Sequence, residues 1–117
     1  MKLYEENFHS LKNGNKKREY RLYDEKRQLI KIGDTIKFLK LPNLDETIFA
    51  DVKKIEIFND WYSCYEKYFN EDFIDTYPTI ESVVEDTYNS GYYSKEETDK
   101  YGCCCITLSK IRRKLWK

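Results

Sequence analysis

The spacing of apolar residues along this chain changes from a helical period to a strand period and back again. Tyr4, Phe8 and Leu11 recur at intervals of four and three, which predicts a helix. Gly14 then ends it, because glycine readily adopts the left-handed conformation that terminates helices. Residues 17–23 alternate instead, as a half-buried strand does. This alternation of periods restricts the chain to folds that combine short helices with a small sheet.

The rest of the sequence follows the same two periods, with Thr79 and Ser94 as helix caps and Gly102 as a helix end. The predicted elements are a helix at 4–13, a strand at 17–23, one helical turn from Asp24 to Leu29, strands at 35–41 and 47–58, helices at 60–69 and 79–89, a helix after Ser94, and a strand from Cys103. The order helix, strands, helices, strand predicts an α+β fold with a small curled sheet. A chain of 117 residues has room for one such domain.

Several features of the composition argue against whole classes of protein. No apolar run approaches the roughly 18 residues that a membrane span needs. Acidic residues occupy the start of the chain, where a signal peptide needs an apolar stretch. The four cysteines lack a CxxC spacing, and one histidine cannot complete the usual zinc motifs. We therefore expect a cytoplasmic protein with small buried thiols, and we expect no metal, cofactor or membrane partner.

The formal net charge of zero conceals a strong segregation of charge along the sequence. Residues 12–40 carry ten Lys or Arg against four Asp or Glu, and residues 110–117 carry five against none. Residues 45–100 carry five against fifteen. If the basic front and tail meet in the fold, they form a cationic surface that attracts phosphates. The alternative is that the front and the acidic middle form ion pairs with each other.

A short motif lies at the start of the basic front. Gly14, Lys16, Glu19 and Arg21 match the pattern G-x-K-x-x-E-x-R. Three later segments accompany it, namely IKIGDTIKF, TIFADVKKIEIF and YYSKEETDKYGCCCITL. In these features the chain resembles the ASCH domain family, a relative of the PUA domain, from about Met1 to Ile111.

The resemblance implies a PUA-like fold, a small mixed β-barrel with flanking helices. An ASCH domain would then occupy residues 1–111, followed by a basic C-terminal tail at 112–117. That tail either packs back through Leu115 and Trp116 or forms a basic arm that contacts phosphates. Family members resemble RNA-binding or nucleotide-processing modules. One branch hydrolyses the amide of N4-acetylcytidine, and others are connected with RNA cleavage, so the family leaves both a binder and an enzyme open.

Lys16 has two interpretations. As a catalytic residue it would act as a base or nucleophile. As a binding residue it would stay charged and hold a phosphate, which is the commoner role of a lysine in a basic cluster.

Glu19 and Arg21 lie two residues apart on one face of a predicted strand, so they can form an ordinary ion pair. In a functional site, Glu19 would accept a hydrogen bond from the exocyclic amine of a base or activate water. Arg21 would then orient Glu19 or grip a phosphate. The branch of the resembled family that hydrolyses N4-acetylcytidine has a threonine where this chain has Glu19, which argues against the mechanism of that branch. Lys16 and Glu19 could still act together through a water molecule.

Aromatic and basic side chains near the motif are further candidates for ligand contacts. Bases stack on tyrosine rings, and a tyrosine hydroxyl can reach a phosphate. We expect Tyr20 to belong to the core, whereas Tyr92 and Tyr93 follow Gly91 in a loop. The candidate ligand-binding residues are Gly14, Lys16, Lys17, Arg21, Tyr23, Lys26, Arg27, Tyr92 and Tyr93.

The sequence thus favours binding of RNA or a nucleotide-like ligand at a cationic cleft around Lys16, Glu19 and Arg21. The rival hypothesis is a hydrolase that acts on a modified nucleoside or on RNA, with Lys16 and Glu19 as its acid and base. A third hypothesis is a protein-interaction module that uses the acidic middle, with a protein partner at positions such as Glu71 and Asp72.

Overall fold

The computed structural model describes residues 1–114, and along them it has six helices and five strands. The elements are β1 (Lys2–Leu3), α1 (Glu5–Lys12), β2 (Arg18–Leu22), α2 (Glu25–Gln28), β3 (Thr35–Lys40), β4 (Thr47–Phe58), α3 (Trp61–Glu66), α4 (Phe69–Asp72), α5 (Ile80–Asn89), α6 (Lys95–Tyr101) and β5 (Cys103–Arg112). The last strand includes Arg112, the first residue of the predicted tail. The question of whether Leu115 and Trp116 pack back lies outside the described residues.

The strands form one five-stranded half-barrel sheet with the order β1-β3-β4-β5-β2. The sheet is mixed, because β1 pairs in parallel with β3, and β3 pairs antiparallel with β4. Lys2 lies opposite Leu39 in the first pair, and Thr35 lies opposite Asp51 in the second. The α+β class and the small mixed sheet predicted above are therefore confirmed. Strand β1 was missed, since two residues are too few to show a period.

Two backbone hydrogen bonds fix the alignment of β2 against its neighbour β5. The amide of Leu108 donates to the carbonyl of Lys17 at 2.8 Å, and the amide of Tyr23 donates to the carbonyl of Gly102 at 3.0 Å. One residue number rises as the other falls, as in an antiparallel pair. The motif strand is thus held against the last strand of the chain.

Side-chain caps set the helix boundaries. The Asp24 carboxylate accepts from the Arg27 amide at 3.1 Å and begins α2. Thr79 and Ser94 each form a reciprocal capping box with the residue three positions later, at the starts of α5 and α6. Gly102 ends α6 with φ at +71°, and a Cβ there would lie 2.6 Å from the carbonyl oxygen of Phe58. These caps and this glycine confirm the predicted boundaries.

The chain divides into two compact units. The basic unit comprises Met1–Glu19, Lys31–Ile55 and Ile106–Lys117, whose sequence holds fifteen Lys or Arg against seven Asp or Glu. The acidic unit comprises Tyr20–Ile30 and Glu56–Cys105, with six against fourteen. The formal charges of the two units are therefore +8 and −8. The segments of the linear sequence show this separation of charge only in part.

The basic unit has a mostly aliphatic interior. Helix α1 buries Phe8 and Leu11 from the stripe that the sequence predicted. Alternate residues of β3 and β4 are buried, as the period of a one-sided strand requires. Its buried apolar residues are Leu3, Phe8, Leu11, Ile36, Phe38, Ile48, Ala50, Val52, Ile106 and Leu108.

The acidic unit instead has an aromatic and thiol-rich interior. Trp61 is buried and stacks on the rings of Tyr65 and Tyr93, with centroid distances of 5.5 and 5.2 Å. Its indole N–H donates to the hydroxyl of Thr98 at 3.0 Å. The four cysteines are buried and free, as predicted. They are Cys64, Cys103, Cys104 and Cys105.

Candidate functional site

The turn after α1 brings Lys16 to the start of β2. Gly14 has φ at +82°, which glycine tolerates more readily than other residues. The amides of Asn15 and Lys16 both donate to the carbonyl of Ser10, at 2.9 and 3.0 Å. These two bonds fix the backbone at Lys16 before the strand begins. The GNK start of the motif is therefore a helix-terminating turn.

Lys16 and Glu19 form an ion pair within the basic unit. The ammonium Nζ lies 3.0 Å from Oε1 of the carboxylate. The Glu19 side chain is only 6% exposed, whereas that of Lys16 is 21% exposed. The carboxylate is thus the inner member of the pair, and Lys16 is the member that solvent or a ligand reaches more easily.

The burial of Glu19 determines what this pair can do. A buried carboxylate needs an opposite charge or several hydrogen bonds, because desolvation strongly disfavours an unpaired charge. A lysine ammonium carries three donors, so the contact with Glu19 uses only part of its capacity. The arrangement can present a cation to an anionic ligand while keeping an acceptor directly behind it. It also places a proton donor and an acceptor in contact.

Arg21 and Tyr23 lie further along the chain, in the acidic unit. Arg21 is half-buried on β2, and its backbone lies close to the thiol of Cys104. Burial and then the neighbouring Cys103 raise the pKa of Cys104 to about 12. Tyr23 is half-buried at the end of β2, where its carbonyl accepts from the side chain of Gln28 at 3.0 Å.

The other two basic candidates of the acidic unit differ in their surroundings. Lys26 is exposed on α2. Arg27 lies 3.4 Å from the carboxylate of Asp24, the residue that caps the same helix. A ligand phosphate at Arg27 would therefore have to share that guanidinium with Asp24.

The candidate tyrosines also differ from one another. Tyr92 is 59% exposed, whereas Tyr93 is half-buried and stacks on Trp61. Tyr20 packs on the aromatic core, as expected, and its hydroxyl donates to the carboxylate of Asp72. One face of Tyr93 is therefore used by the core, and Tyr92 is the more open ring.

Ion pairs of the basic unit reduce the cationic surface that the sequence suggested. Lys12 pairs with Glu46, and Lys40 lies 3.6 Å from the same carboxylate. Arg112 donates to Asp51 at 2.9 Å. The hydrogen bond from Lys12 lowers the pKa of Glu46, and that from Arg112 lowers the pKa of Asp51. Part of the basic front and tail therefore does pair with the middle of the chain.

Sequence reasoning did not single out Ser10, although its carbonyl holds the turn, because a backbone acceptor leaves no signal in residue type. It also did not propose the direct Lys16–Glu19 ion pair, although a separation of three residues was a signal for it. Thr107 on β5 was missed too, and its buried hydroxyl has no hydrogen-bond partner among the described residues.

Two kinds of feature are missing from the described part of the chain. No helix within residues 1–114 is long and apolar enough to cross a membrane. In the same residues, no group of three or more His, Cys, Asp or Glu side chains is placed to hold a metal ion.

Comparisons with known proteins identify one family model and two similar solved structures. The sequence model of the ASCH domain matches residues 1–112. The crystal structure of hypothetical protein PH0355 is similar, with 33% identity, a TM-score of 0.75 and coverage of 93% of this chain and 94% of that one. The solution NMR structure of protein PF0455 from Pyrococcus furiosus has 30% identity, a TM-score of 0.64 and coverage of 93% and 96%. No curated protein matches the sequence significantly.

Proposed function

Because this chain belongs to the ASCH domain family, we propose that it binds RNA or a nucleotide-like ligand at the Lys16–Glu19 pair. The observation that carries this proposal is the 3.0 Å contact between a half-buried ammonium and an almost fully buried carboxylate. A buried ion pair is weak evidence for stability, since apolar residues of the same volume often serve as well. Its occurrence in the family motif supports a role in binding.

Each member of the pair has a distinct role in this proposal. Lys16 contacts a ligand phosphate through the donors that Glu19 leaves available. Glu19 accepts a hydrogen bond from the exocyclic amine of a base. Lys17 is exposed directly after Lys16 and adds a second positive charge for the backbone of the ligand.

Two ligand-binding candidates that the sequence suggested, Arg21 and Tyr92, lie in the acidic unit and stay predictions. Arg21 is a candidate for a forked contact with a phosphate. The ring of Tyr92 is the more open stacking surface, because Tyr93 already stacks on Trp61.

The first test compares binding of short single-stranded RNA and of N4-acetylcytidine at two salt concentrations, for wild type and Lys16→Gln. Loss of the phosphate contact should weaken RNA binding about tenfold at low salt and reduce its salt dependence. Lys31→Gln is the matched control, since it removes one charge from an exposed position of the same unit. Equal losses in both variants would contradict a specific role for Lys16.

Lys16→Gln leaves Glu19 buried without its cation, so a loss of binding needs a folding control. The double variant Lys16→Gln/Glu19→Gln removes both charges, so it leaves no carboxylate buried without a cation. If it folds like wild type by near-ultraviolet circular dichroism and still binds poorly, the loss belongs to the site. If it binds like wild type, the proposal fails. Absence of binding in wild type would direct attention to the third hypothesis, a protein partner.

The second candidate function is hydrolysis of a modified nucleoside or of RNA, and the same 3.0 Å contact favours it. Glu19 would take a proton from water, and Lys16 would stabilise the negative charge that develops on the substrate. Product analysis of the binding mixtures tests this. Product that disappears in Lys16→Gln would support an enzyme, whereas binding without product would favour the binding module.

A further inference from the structure

The sheet of the basic unit has a buried face and a face that carries exposed residues. Two pairs of opposite residues on β3 and β4 are buried, namely Ile36 with Ala50 and Phe38 with Ile48. Helix α1 packs against β1 and β3. Because successive side chains of a strand point to opposite faces, the residues between the buried ones form the other face. We call it the outer face, and its residues are Lys2, Thr35, Lys37, Leu39, Thr47, Phe49, Asp51 and Lys53.

An aromatic ring lies beside cations on the outer face. Phe49 is half-buried, and the exposed Lys37 lies directly opposite it on β3. Directly opposite residues of an antiparallel pair have Cβ atoms about 4.5–5.5 Å apart. Lys53 is exposed four residues further along β4, a distance of about 13 Å at the rise of a strand. The ring therefore has one positive charge next to it and another along its own strand.

Asp51 is the acidic residue of the outer face, and its charge is already compensated. Arg112 donates to its Oδ1 at 2.9 Å, and the hydroxyl of Thr35 donates to the same oxygen at 2.8 Å. The side chain of Arg112 therefore reaches the outer face from the end of β5. The next two residues, Arg113 and Lys114, are exposed. Positive charge thus predominates on the outer face, which suits a polyanion.

From this arrangement we propose that the outer face binds a single strand of nucleic acid, as a second site in addition to the Lys16–Glu19 pair. Phe49 stacks on a base, and Lys37 and Lys53 contact phosphates of the same strand. The inference goes beyond the proposed function and does not depend on it, because none of these residues belongs to the Lys16–Glu19 pair.

The chemistry of the outer face favours a single strand over two other polyanions. Stacking on Phe49 needs the open face of a base, which a duplex covers with the neighbouring base pairs. Phe49 and Leu39 are both half-buried, so they offer little apolar surface for insertion into a membrane. Stacking and phosphate contacts do not involve the sugar, so RNA and DNA strands should bind within about threefold of each other.

The experiment measures binding of labelled dodecanucleotides of uridine and of deoxyuridine, and of a 12-base-pair duplex, to the intact protein across a salt series. Lys37→Gln/Lys53→Gln should weaken binding of both single strands about tenfold at low salt. It should also reduce the salt slope by about 1.4, the value for two phosphate contacts on a single strand. The duplex should bind wild type at least tenfold more weakly than the single strands.

Lys95→Gln/Lys100→Gln is the matched control for net charge. It also removes two positive charges, from exposed positions of the acidic unit. Binding of the single strands should change by less than about twofold in this variant. Equal losses in the two lysine variants would overturn the inference, because they would make binding a matter of total charge.

The ring of Phe49 is tested separately. Phe49→Thr should weaken binding of both single strands about tenfold and keep the wild-type salt slope, because it removes stacking and no charge. Phe49→Tyr keeps a ring and should bind within about twofold of wild type. Near-ultraviolet circular dichroism checks that both variants fold. The lysine variant tests the same face independently if Phe49→Thr does not fold.

Other outcomes separate this inference from the proposed function. Unchanged binding in the lysine and ring variants, with a loss in Lys16→Gln/Glu19→Gln, would overturn the inference and leave the proposed function standing. The opposite pattern would support the outer face and contradict RNA binding at the Lys16–Glu19 pair. A duplex that binds as tightly as the single strands would overturn the inference. So would binding to phosphatidylserine vesicles without binding to either single strand.

Discussion

The basic and acidic units of this protein are similar in length but differ in charge and in the residues of their interiors. The basic unit has a formal charge of +8 and one of the eleven tyrosines, Tyr4. The acidic unit has a charge of −8, the other ten tyrosines and all four cysteines. The net charge of zero is therefore the sum of two opposed fields, and only one of them suits an anionic ligand.

The two units also satisfy their carboxylates differently. In the basic unit, Glu46 and Asp51 are paired with Lys12 and Arg112. In the acidic unit, several carboxylates accept from tyrosine hydroxyls, as Asp86 does from Tyr77 at 2.5 Å. Ion pairs fail when acid protonates the carboxylate, whereas buried tyrosines resist ionisation at high pH. The difference predicts that each unit limits stability at one end of the pH range.

The largest expected effect tests the aromatic interior of the acidic unit. Trp61→Ala removes a buried ring that stacks on Tyr65 and Tyr93 and leaves a cavity. We expect the free energy of unfolding to fall by about 3–5 kcal/mol, measured by urea denaturation. Trp61→Phe is the control, with a smaller loss because a stacked ring remains. A loss below about 1 kcal/mol for Trp61→Ala would show that the stack adds little.

A matched pair of glycines comes next. Gly102→Ala places a Cβ 2.6 Å from the Phe58 carbonyl oxygen at a backbone conformation with φ +71°. We expect a loss of about 2–3 kcal/mol. At Gly14, φ is +82° but an added Cβ meets nothing within 4 Å, so Gly14→Ala should lose about 1 kcal/mol. Equal losses in thermal or urea unfolding would mean that the backbone at Phe58 yields freely.

The third prediction concerns the ion pair of the basic unit. Lys16→Met leaves the carboxylate of Glu19 buried without its cation, so we expect a loss of about 1–3 kcal/mol at neutral pH. Adding Glu19→Gln should recover most of it in a double-mutant cycle. Lys31→Met, at an exposed position, should stay within about 0.5 kcal/mol of wild type. Additive losses in the cycle would rule out energetic coupling between Lys16 and Glu19.

The loss of folding stability at high pH should come from the acidic unit. Burial, and then the hydrogen bond to Asp86, raise the pKa of Tyr77 to about 12. The unfolded chain releases this proton near pH 10, so the folded state binds more protons above that pH. Stability that is present below about pH 10 is therefore lost as the pH rises toward 12.

Tyr77→Phe should make the fall of the urea midpoint over this pH window shallower. Tyr4→Phe is the matched control in the basic unit and should keep the wild-type slope. If the urea midpoint of both variants fell with pH as steeply as that of wild type, Tyr77 would have no part in the loss of stability at high pH.

The smallest effect is expected in the loss of folding stability at low pH, which should come from the basic unit. The hydrogen bond from Arg112, and then that from Thr35, lower the pKa of Asp51. Its contribution is present above the ordinary pKa of aspartate, near 3.9, and is lost as the pH falls through the lower folded value. In a pH series of thermal unfolding, Asp51→Asn should make the fall of the unfolding temperature at low pH shallower. Asp75→Asn, in the acidic unit, should leave this fall unchanged. The same change in both variants would contradict the assignment of the loss at low pH to the basic unit.

Most of the fold could be predicted from local sequence signals. The capping boxes at Thr79 and Ser94 and the glycine at 102 marked helix ends because caps act within one turn. Alternation marked strands such as β4, whose predicted bounds of 47–58 match the structure. The single predicted helix at 60–69 corresponds to two shorter ones, α3 and α4, since Lys67 and Tyr68 lie between them.

The candidate site was predictable only in part. The motif identified Lys16 and Glu19, and their contact lies within four residues of sequence. The extent of the cationic surface was not predictable, because Lys12 and Arg112 meet their carboxylates across 34 and 61 residues. For the same reason, the stacking of Tyr93 on Trp61 could not be read from its loop position.

The sequence by itself determined the periods of the helices and strands, their caps, the total charge of each segment and the family. The periods, caps and segment charges depend on residues that are near neighbours along the chain, and the family follows from several short motifs of that kind. Only the tertiary structure decided that Glu19 is buried behind Lys16, that Tyr20 holds Asp72, and that the charges divide into units of +8 and −8. Burial and pairing depend on which distant segments pack together, and no local pattern records that.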